Sequence, residues 1–177
     1  MKIHYLLLIM ASMLVWHCGG TDSDNQKATE DEQTSKLNEY GLTDFEMKYG
    51  IGPIQKRMYP GQINPALAKK GETIFQTKCS PCHKLDERYI GPAQRYATER
   101  RPPEYLLNMM INPDEMVKRH PEAKKLLAEY LSPMTFQNIS QEDALNVLEY
   151  LRQMAKEGRE KNIPEIPVFK SQIQKQN

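Results

Sequence analysis

The string Cys79-Ser80-Pro81-Cys82-His83 limits the folds and functions open to this 177-residue chain more than any other part of its sequence. Cys-x-x-Cys-His is the pattern for covalent attachment of haem c, in which two thiols one helical turn apart add across the two vinyl groups of the porphyrin. The histidine is then held beneath the iron as the proximal ligand, with almost no search entropy, because its neighbour is already bonded to the ring. The string therefore predicts one covalently bound haem at Cys79, Cys82 and His83.

The alternatives to haem attachment are a redox-active cysteine pair, a zinc site and a chance occurrence of the Cys-x-x-Cys-His string. A thioredoxin-like redox pair expects a βαβ setting, and no alternating strand pattern is found. A zinc site needs four ligands. From residue 18 onward, apart from carboxylates and the cysteine at position 18 itself, the chain offers only Cys79, Cys82, His83 and His120. No dinucleotide-binding, P-loop, serine-hydrolase or zincin string occurs. The formal net charge of +1 argues against a dedicated nucleic-acid binder.

The N-terminus resembles the export signal of bacterial lipoproteins. Lys2 precedes an uncharged, mostly apolar run over 5–16, which is short for a membrane span and typical of a signal-peptide core. Cys18 follows, before two glycines, as in lipoproteins whose signal is cut before a lipidated cysteine. We therefore expect 1–17 to be a signal peptide, Cys18 to be lipidated, and the mature protein to face the periplasm from a lipid anchor. An uncleaved anchor and an ordinary signal peptide are the alternatives.

Composition divides the rest of the chain into four parts. Residues 18–40 carry six acidic residues, two lysines and only two large apolar side chains, so we expect a disordered acidic tether. Residues 41–64 mix apolar side chains with glycine and proline breaks, which predicts an irregular N-terminal segment wrapped on the domain. The domain itself is expected over 65–157. Residues 158–177 contain Gly and Pro breaks and a polar end, which predicts a loose polar C-terminal tail.

Four stretches show helical periodicity, which predicts an all-α fold. Asn64 and Pro65 are a typical N-cap and first helical residue for the first of them. Ser140 with Asp143 is similar to a capping box at the start of the last. The predicted helices run over 65–75, 103–112, 121–131 and 141–154. No internal repeat is found.

The stretch from about 65 to 155 resembles a class I c-type cytochrome. Gly71, Phe75 and Cys79 reproduce the G-xxx-F/Y-xxx-C spacing of that family's first helix, and the string LEYLR around Tyr150 is similar to its C-terminal helix. The resemblance implies the cytochrome c fold, with four to five helices around one covalently bound haem c. It also implies a close crossing of the first and last helices, which the glycine permits.

The resemblance further implies the ligands around the iron. Pro92 lies shortly after His83, where in the family a proline carbonyl accepts the ring N–H of the histidine. The family's sixth ligand is a methionine in the loop before the terminal helix, and Met134 occupies that position. The alternatives for this ligand are Met116, in a predicted loop, and His120, in a basic run that predicts a solvent-facing side chain.

Other side chains are expected near the haem without serving as ligands. Met109 and Met110 follow a proline-initiated helix start and are expected to line the pocket. Arg95, Arg100 and Arg101 are expected to pair with the propionates or to form a docking surface, and an ordinary solvated face is the alternative.

Ligation by histidine and methionine raises the reduction potential and leaves no open position for a substrate, which implies an electron carrier and not an enzyme. We expect a membrane-anchored cytochrome that moves single electrons between respiratory redox proteins. The strings GIGPI and NMMINPDEM resemble cytochromes of bacterial anaerobic respiration. That resemblance implies nitrous oxide reductase as an electron partner. A terminal oxidase is the other partner that we consider. The alternatives are a haem enzyme or a gas or peroxide sensor with a labile sixth ligand, and a fixed cytochrome subunit of a larger oxidase or reductase.

Overall fold

The computed structural model describes residues 36 to 173, in which every regular element is a helix and no strand occurs. The all-α prediction is confirmed. In chain order the elements are α1 (Asp44–Tyr49), α2 (Pro65–Ile74), a π-helical turn (Phe75–Cys79), α3 (Ala97–Arg100), α4 (Pro103–Ile111), α5 (Pro113–Arg119), α6 (Pro121–Tyr130), α7 (Gln141–Glu160) and α8 (Lys170–Ile173). No helix in this range is long and apolar enough to cross a membrane. The predicted signal peptide, Cys18 and most of the acidic tether lie outside the described residues.

Helix starts follow local capping chemistry. The Asn64 side chain accepts hydrogen bonds from the backbone N–H groups of Ala66 and Leu67 at 3.0 and 3.3 Å, and Pro65 is the first residue of α2. At α7 the Ser140 hydroxyl accepts from the N–H of Asp143 at 3.0 Å. Each cap satisfies donors that the first helical turn leaves without a partner. Both predicted helix starts are confirmed.

The first and last long helices, α2 and α7, pack on each other at a glycine. A Cβ added to Gly71 would lie 1.9 Å from the carbonyl oxygen of Asn146, so only a hydrogen at this position allows the two backbones to approach. Next to this contact the rings of Phe75 and Tyr150 lie 5.4 Å apart, and Val147 is fully buried between the helices. The core around the crossing consists of Ile54, Phe75, Leu107, Ile139, Ala144, Val147, Leu148, Tyr150 and Leu151.

The segment over 41–64 is held on the domain by one buried amide, that of Asn108 in α4. Its Nδ2 donates to the carbonyls of Tyr49, Gly50 and Ile54 at 3.0 to 3.2 Å, and its Oδ1 accepts from the N–H of Ile54 at 3.0 Å. Asn108 is fully buried, so each of these bonds replaces one that water would otherwise make. The strings GIGPI and NMMINPDEM therefore contact each other through this amide.

Two short helices lie where the sequence predicted irregular chain. Helix α1 begins with a capping box, in which the Thr43 hydroxyl accepts from the N–H of Glu46 and the Glu46 carboxylate accepts from the N–H of Thr43, at 3.1 and 2.9 Å. Helix α5 begins at Pro113, directly after Asn112, which is the C-cap of α4. The proline ends one helix and starts the next because it lacks an N–H and has a helical φ.

The prediction of a loose tail is wrong for residues 158 to 169. Helix α7 continues to Glu160, and Gly158 is buried, since a Cβ there would lie 2.5 Å from the Tyr96 hydroxyl. The Tyr96 hydroxyl also donates to the carbonyl of Ile163 at 2.5 Å. The segment is held by distant side chains that bind its backbone carbonyls, and such contacts leave no periodic pattern in the segment's own sequence.

Replacement of Gly71 by alanine tests the crossing. Because the new methyl group would overlap the α7 backbone, we expect Gly71→Ala to lower the free energy of unfolding by about 3 kcal/mol, measured by denaturant unfolding of the haem-loaded protein. Gly61→Ala is the matched control, since an added Cβ there meets nothing within 4 Å. Equal stability of the two variants would contradict the close approach.

Candidate haem site

A cavity of about 350 Å³ opens inside the helical domain, and most of its wall is apolar. Its lining includes the predicted haem-attachment string, the loop before α7, and side chains of α4 and α6. Among the lining residues are Cys79, Cys82, His83, Pro92, Tyr105, Met109, Met110, Leu126, Leu127, Tyr130 and Met134. The structure therefore brings together the predicted attachment residues, both expected iron ligands, Pro92, and the two methionines that were expected to line the pocket.

The attachment string continues the first long helix without a break. The π-helical turn extends α2 to Cys79, and the N–H groups of Cys82 and His83 both donate to the Cys79 carbonyl, at 3.0 and 2.8 Å. This turn holds the two thiols and the imidazole on one short helical stretch. Burial raises the pKa of the Cys79 thiol to about 11, against a smaller opposing effect of the Lys78 charge. A half-buried neutral thiol is the reverse of the low-pKa thiolate of a thioredoxin-type redox pair.

His83 is held by contacts to one of its two ring nitrogens. Its Nδ1 lies 3.1 Å from the carbonyl oxygen of Pro92, and the Gln94 side-chain amide donates to the same carbonyl at 2.8 Å. The ring lies against Gly91, where an added Cβ would come 2.3 Å from Cε1. Burial lowers the pKa of His83, with the Pro92 bond opposing this shift, so the imidazole is neutral near pH 7. With the proton on Nδ1, the Nε2 lone pair remains available for a metal ion.

Met134 lies in the irregular loop that connects α6 to α7 and is half-buried in the cavity wall. The loop is anchored by Lys78, whose Nζ donates to the carbonyls of Asn138 and Gln137 at 2.8 and 3.3 Å. Ile139 is buried in the core and fixes the end of the loop before α7. Because Lys78 is adjacent to Cys79, the anchor ties the methionine loop to the attachment turn.

The two alternative sixth ligands lie outside the cavity lining. Met116 is fully buried in α5, and its sulfur accepts from the N–H of Ile51 at 3.0 Å. His120 is also buried, and the prediction of a solvent-facing side chain is wrong. Its Nδ1 caps α6 by accepting from the N–H of Glu122, and its Nε2 lies 3.1 Å from the Met47 carbonyl. Both side chains have structural partners that the neighbouring sequence does not reveal.

The three arginines have different surroundings. Arg95 is buried and forms a paired contact with the Asp86 carboxylate, away from the cavity lining. Arg100 and Arg101 line the cavity, where Arg100 donates to the Ala93 carbonyl at 2.6 Å and Arg101 to Glu122 at 2.8 Å. Two of the three arginines are thus near enough to the cavity to face the propionates.

Tyr105 is a cavity residue that the sequence analysis did not single out. Its side chain is buried, and its hydroxyl has no hydrogen-bond partner among residues 36 to 173. Burial raises the pKa of Tyr105 to about 12, so the hydroxyl is a proton donor near pH 7. A buried donor without an acceptor is unfavourable, and a haem propionate is an acceptor that suits it. The cavity, the Cys-x-x-Cys-His donors and this hydroxyl therefore all fit a haem.

The zinc alternative finds no support in the same region. Within the part of the chain that the structure describes, no group of three or more His, Cys, Asp or Glu side chains is placed to hold a metal ion.

Comparison with known proteins decides the family. The profile of the family described as Cytochrome c matches residues 68–155. The solved structure titled cytochrome c from Rhodothermus marinus is 47% identical over 63% of this chain and 97% of that chain, with a TM-score of 0.60. The chain belongs to the cytochrome c family. It therefore carries covalently attached haem c and is an electron-transfer protein.

Engineered forms of the same Rhodothermus marinus cytochrome c match this cytochrome equally well in sequence. One has 47% identity and a TM-score of 0.60, and another, bound to a carbene intermediate, has 47% identity and a TM-score of 0.57. Each covers 63% of this chain and 96% of its own. No curated protein sequence gives a significant match.

Replacement of Gly91 by alanine tests the support of His83. The new methyl group would displace the His83 imidazole from the Pro92 carbonyl. Without that hydrogen bond the imidazole would be a less basic ligand. We expect the reduction potential of Gly91→Ala to rise by roughly 50 mV, about a tenfold change for a one-electron couple, measured by spectroelectrochemical titration. Ser80→Ala is the control, since the Ser80 hydroxyl bonds only to the Gln76 carbonyl on the same turn. A potential unchanged in Gly91→Ala would contradict this role of the glycine.

Proposed function

We propose that this cytochrome is a membrane-tethered monohaem electron carrier of the bacterial cell envelope, with iron held between His83 and Met134. The observation that carries the proposal is that one apolar cavity is lined by the two attachment cysteines, by His83 and by Met134. The haem, attached through Cys79 and Cys82, supplies the one-electron change between ferric and ferrous iron.

The surrounding residues prepare the site for electron transfer and not for substrate chemistry. The Pro92 carbonyl orients the His83 ring, and the Lys78 anchor holds the Met134 loop near the attachment turn. With a ligand from the protein on each face of the iron, no coordination position is left for a substrate. The apolar lining lowers the local dielectric constant and keeps water from the iron.

Isosteric replacement of the methionines tests the sixth ligand. Leucine keeps the volume and removes the sulfur. We expect Met134→Leu to lose the weak methionine-to-iron charge-transfer band of the oxidised protein. Its potential should fall by on the order of 100 mV, because the axial ligand sets the potential. Absorption spectra and redox titration measure both effects.

Met109→Leu and Met116→Leu are the matched controls, one in the cavity lining and one outside it. Both are expected to keep the band. If the band persists in Met134→Leu, the sixth ligand is another residue. If the band is lost only in Met116→Leu, Met116 is the sixth ligand. Rapid binding of carbon monoxide to the reduced native protein would instead favour a gas or peroxide sensor with a labile sixth ligand.

The membrane tether rests on the sequence of the N-terminus. Cys18 follows a signal-peptide-like run, and the acidic stretch after it is long enough to let the domain move on an anchor, with a reach of about 5–6 Å times the square root of the residue number. Several acyl chains on one cysteine give lasting attachment, whereas a single chain does not. Nitrous oxide reductase or a terminal oxidase as electron partner stays a prediction.

Replacement of Cys18 by serine tests the anchor in a host with lipoprotein processing. We expect the native protein to enter the detergent phase and to show by mass spectrometry a lipid adduct on an N-terminal Cys18. The Cys18→Ser variant should remain in the aqueous phase with its haem spectrum unchanged. A native protein that carries haem but no lipid would contradict the anchor and leave the electron-carrier proposal intact.

A further inference from the structure

We propose that residues 163 to 169, the C-terminal strap, close one wall of the haem cavity, exclude water and small ligands from the haem, and thereby raise its reduction potential. The proposal rests on the haem occupying the cavity described above. The strap lies outside residues 68–155, which match the cytochrome c family profile.

The end of the strap is part of the cavity itself. Val168 and Phe169 line the cavity, and both side chains are half-buried. Tyr130, at the end of α6, lines the same region and donates its hydroxyl hydrogen to the Val168 carbonyl at 2.7 Å. The strap thus adds an aliphatic and an aromatic side chain to the wall.

A second clamp joins the strap to the segment that follows the attachment string. Arg88 donates to the carbonyls of Pro167 and Val168, and its other terminal nitrogen lies 2.6 Å from the Glu129 carboxylate. The same guanidinium lies over the Tyr130 ring, 4.4 Å from its centroid. Arg88 comes five residues after His83, whereas Glu129 and Tyr130 end α6. The Val168 carbonyl is therefore held between the histidine segment and the helix before the Met134 loop.

The strap continues onto α8 and is also fixed at its start. The backbone N–H of Lys170 donates to Glu129 at 2.9 Å. At the other end the Tyr96 hydroxyl binds the Ile163 carbonyl, and the Glu165 carboxylate pairs with Arg100, itself a cavity residue, at 3.0 Å. Contacts at both ends make the strap a fixed wall in the native state and not a flexible tail.

The effect on the haem follows from the charge of the iron. Oxidation to the ferric state adds a positive charge to the haem, and a buried, apolar environment disfavours added charge. A strap that removes water from one edge of the haem therefore favours the ferrous form and raises the potential. It also blocks a route by which an anion or a gas would reach the iron.

Two truncated chains with different C-terminal residues allow the protein to be compared with and without the strap. One variant ends at Asn162 and lacks the strap together with α8, and its control ends at Ile173 and keeps both. Both retain the attachment cysteines, His83 and Met134. We expect the shorter chain to bind cyanide about tenfold faster in the ferric state. Cyanide must displace Met134 in both chains, but in the shorter one it no longer also requires the strap to open. The potential of the shorter chain should be lower than that of the control, which should match the full chain.

A side-chain variant keeps the test decisive if the shorter chain does not retain haem. Val168→Ser with Phe169→Ser leaves the backbone clamps in place and makes the wall polar, so the potential should fall and cyanide should bind faster. Tyr59→Ser is the matched control, because this exposed aromatic side chain lies outside the Met134 loop and does not line the cavity. If the haem-loaded variants match their controls in both rate and potential, the proposal is overturned.

The same data separate this proposal from that of the preceding subsection. Absence of the methionine-to-iron band from the native, full-length protein would refute ligation by Met134, and this result does not depend on the truncated chains. The strap is judged only by the difference between each variant and its own control. A native protein with the band and no difference between the two chain ends would refute the strap alone.

Discussion

The close approach of α2 and α7 at Gly71 is the contact on which the haem site depends. An added Cβ at Gly71 would overlap the Asn146 carbonyl oxygen, so the spacing of the two backbones is set by a hydrogen atom. Helix α2 runs without interruption into the turn that ends at Cys79. Because a helix is stiff over this length, fixing α2 against α7 also fixes the position of the attachment string that carries both thiols and the imidazole. The cavity forms beside this frame.

The support of His83 and the loop that carries Met134 come from segments that have no regular structure of their own. The Pro92 carbonyl and the Gln94 amide fix the orientation of His83, and Lys78 holds the loop that carries Met134. Each of these supports is a polar group that satisfies a backbone carbonyl or a ring nitrogen. Such bonds contribute modest net stability, but an unmade one in a buried place is costly, so they select a single arrangement.

Both ends of the described chain are held by the same kind of contact, in which a side chain binds backbone carbonyls that are distant in sequence. Asn108 in α4 satisfies four backbone groups of the N-terminal segment, and it is fully buried. Arg88 and Tyr130 hold Val168 in the C-terminal strap. The N-terminal segment packs on the core beside α4, whereas the C-terminal strap reaches the cavity wall. The domain therefore extends beyond the part that the family profile matches, at both ends.

The amino-acid sequence by itself determined the helices that start at Asn64 and Ser140, the all-α class and the haem-attachment string. These depend on caps, periodicity and spacing within a few residues. The sequence pattern did not reveal that His120 is a buried helix cap, that Met116 binds a backbone N–H, that the Tyr105 hydroxyl has no partner, or that the tail is a strap. Only the tertiary structure decided these, because each depends on groups that come from distant parts of the chain or on the shape of the cavity. Hydrogen-bond partners tens of residues apart leave no local pattern, whereas a cap acts within one helical turn.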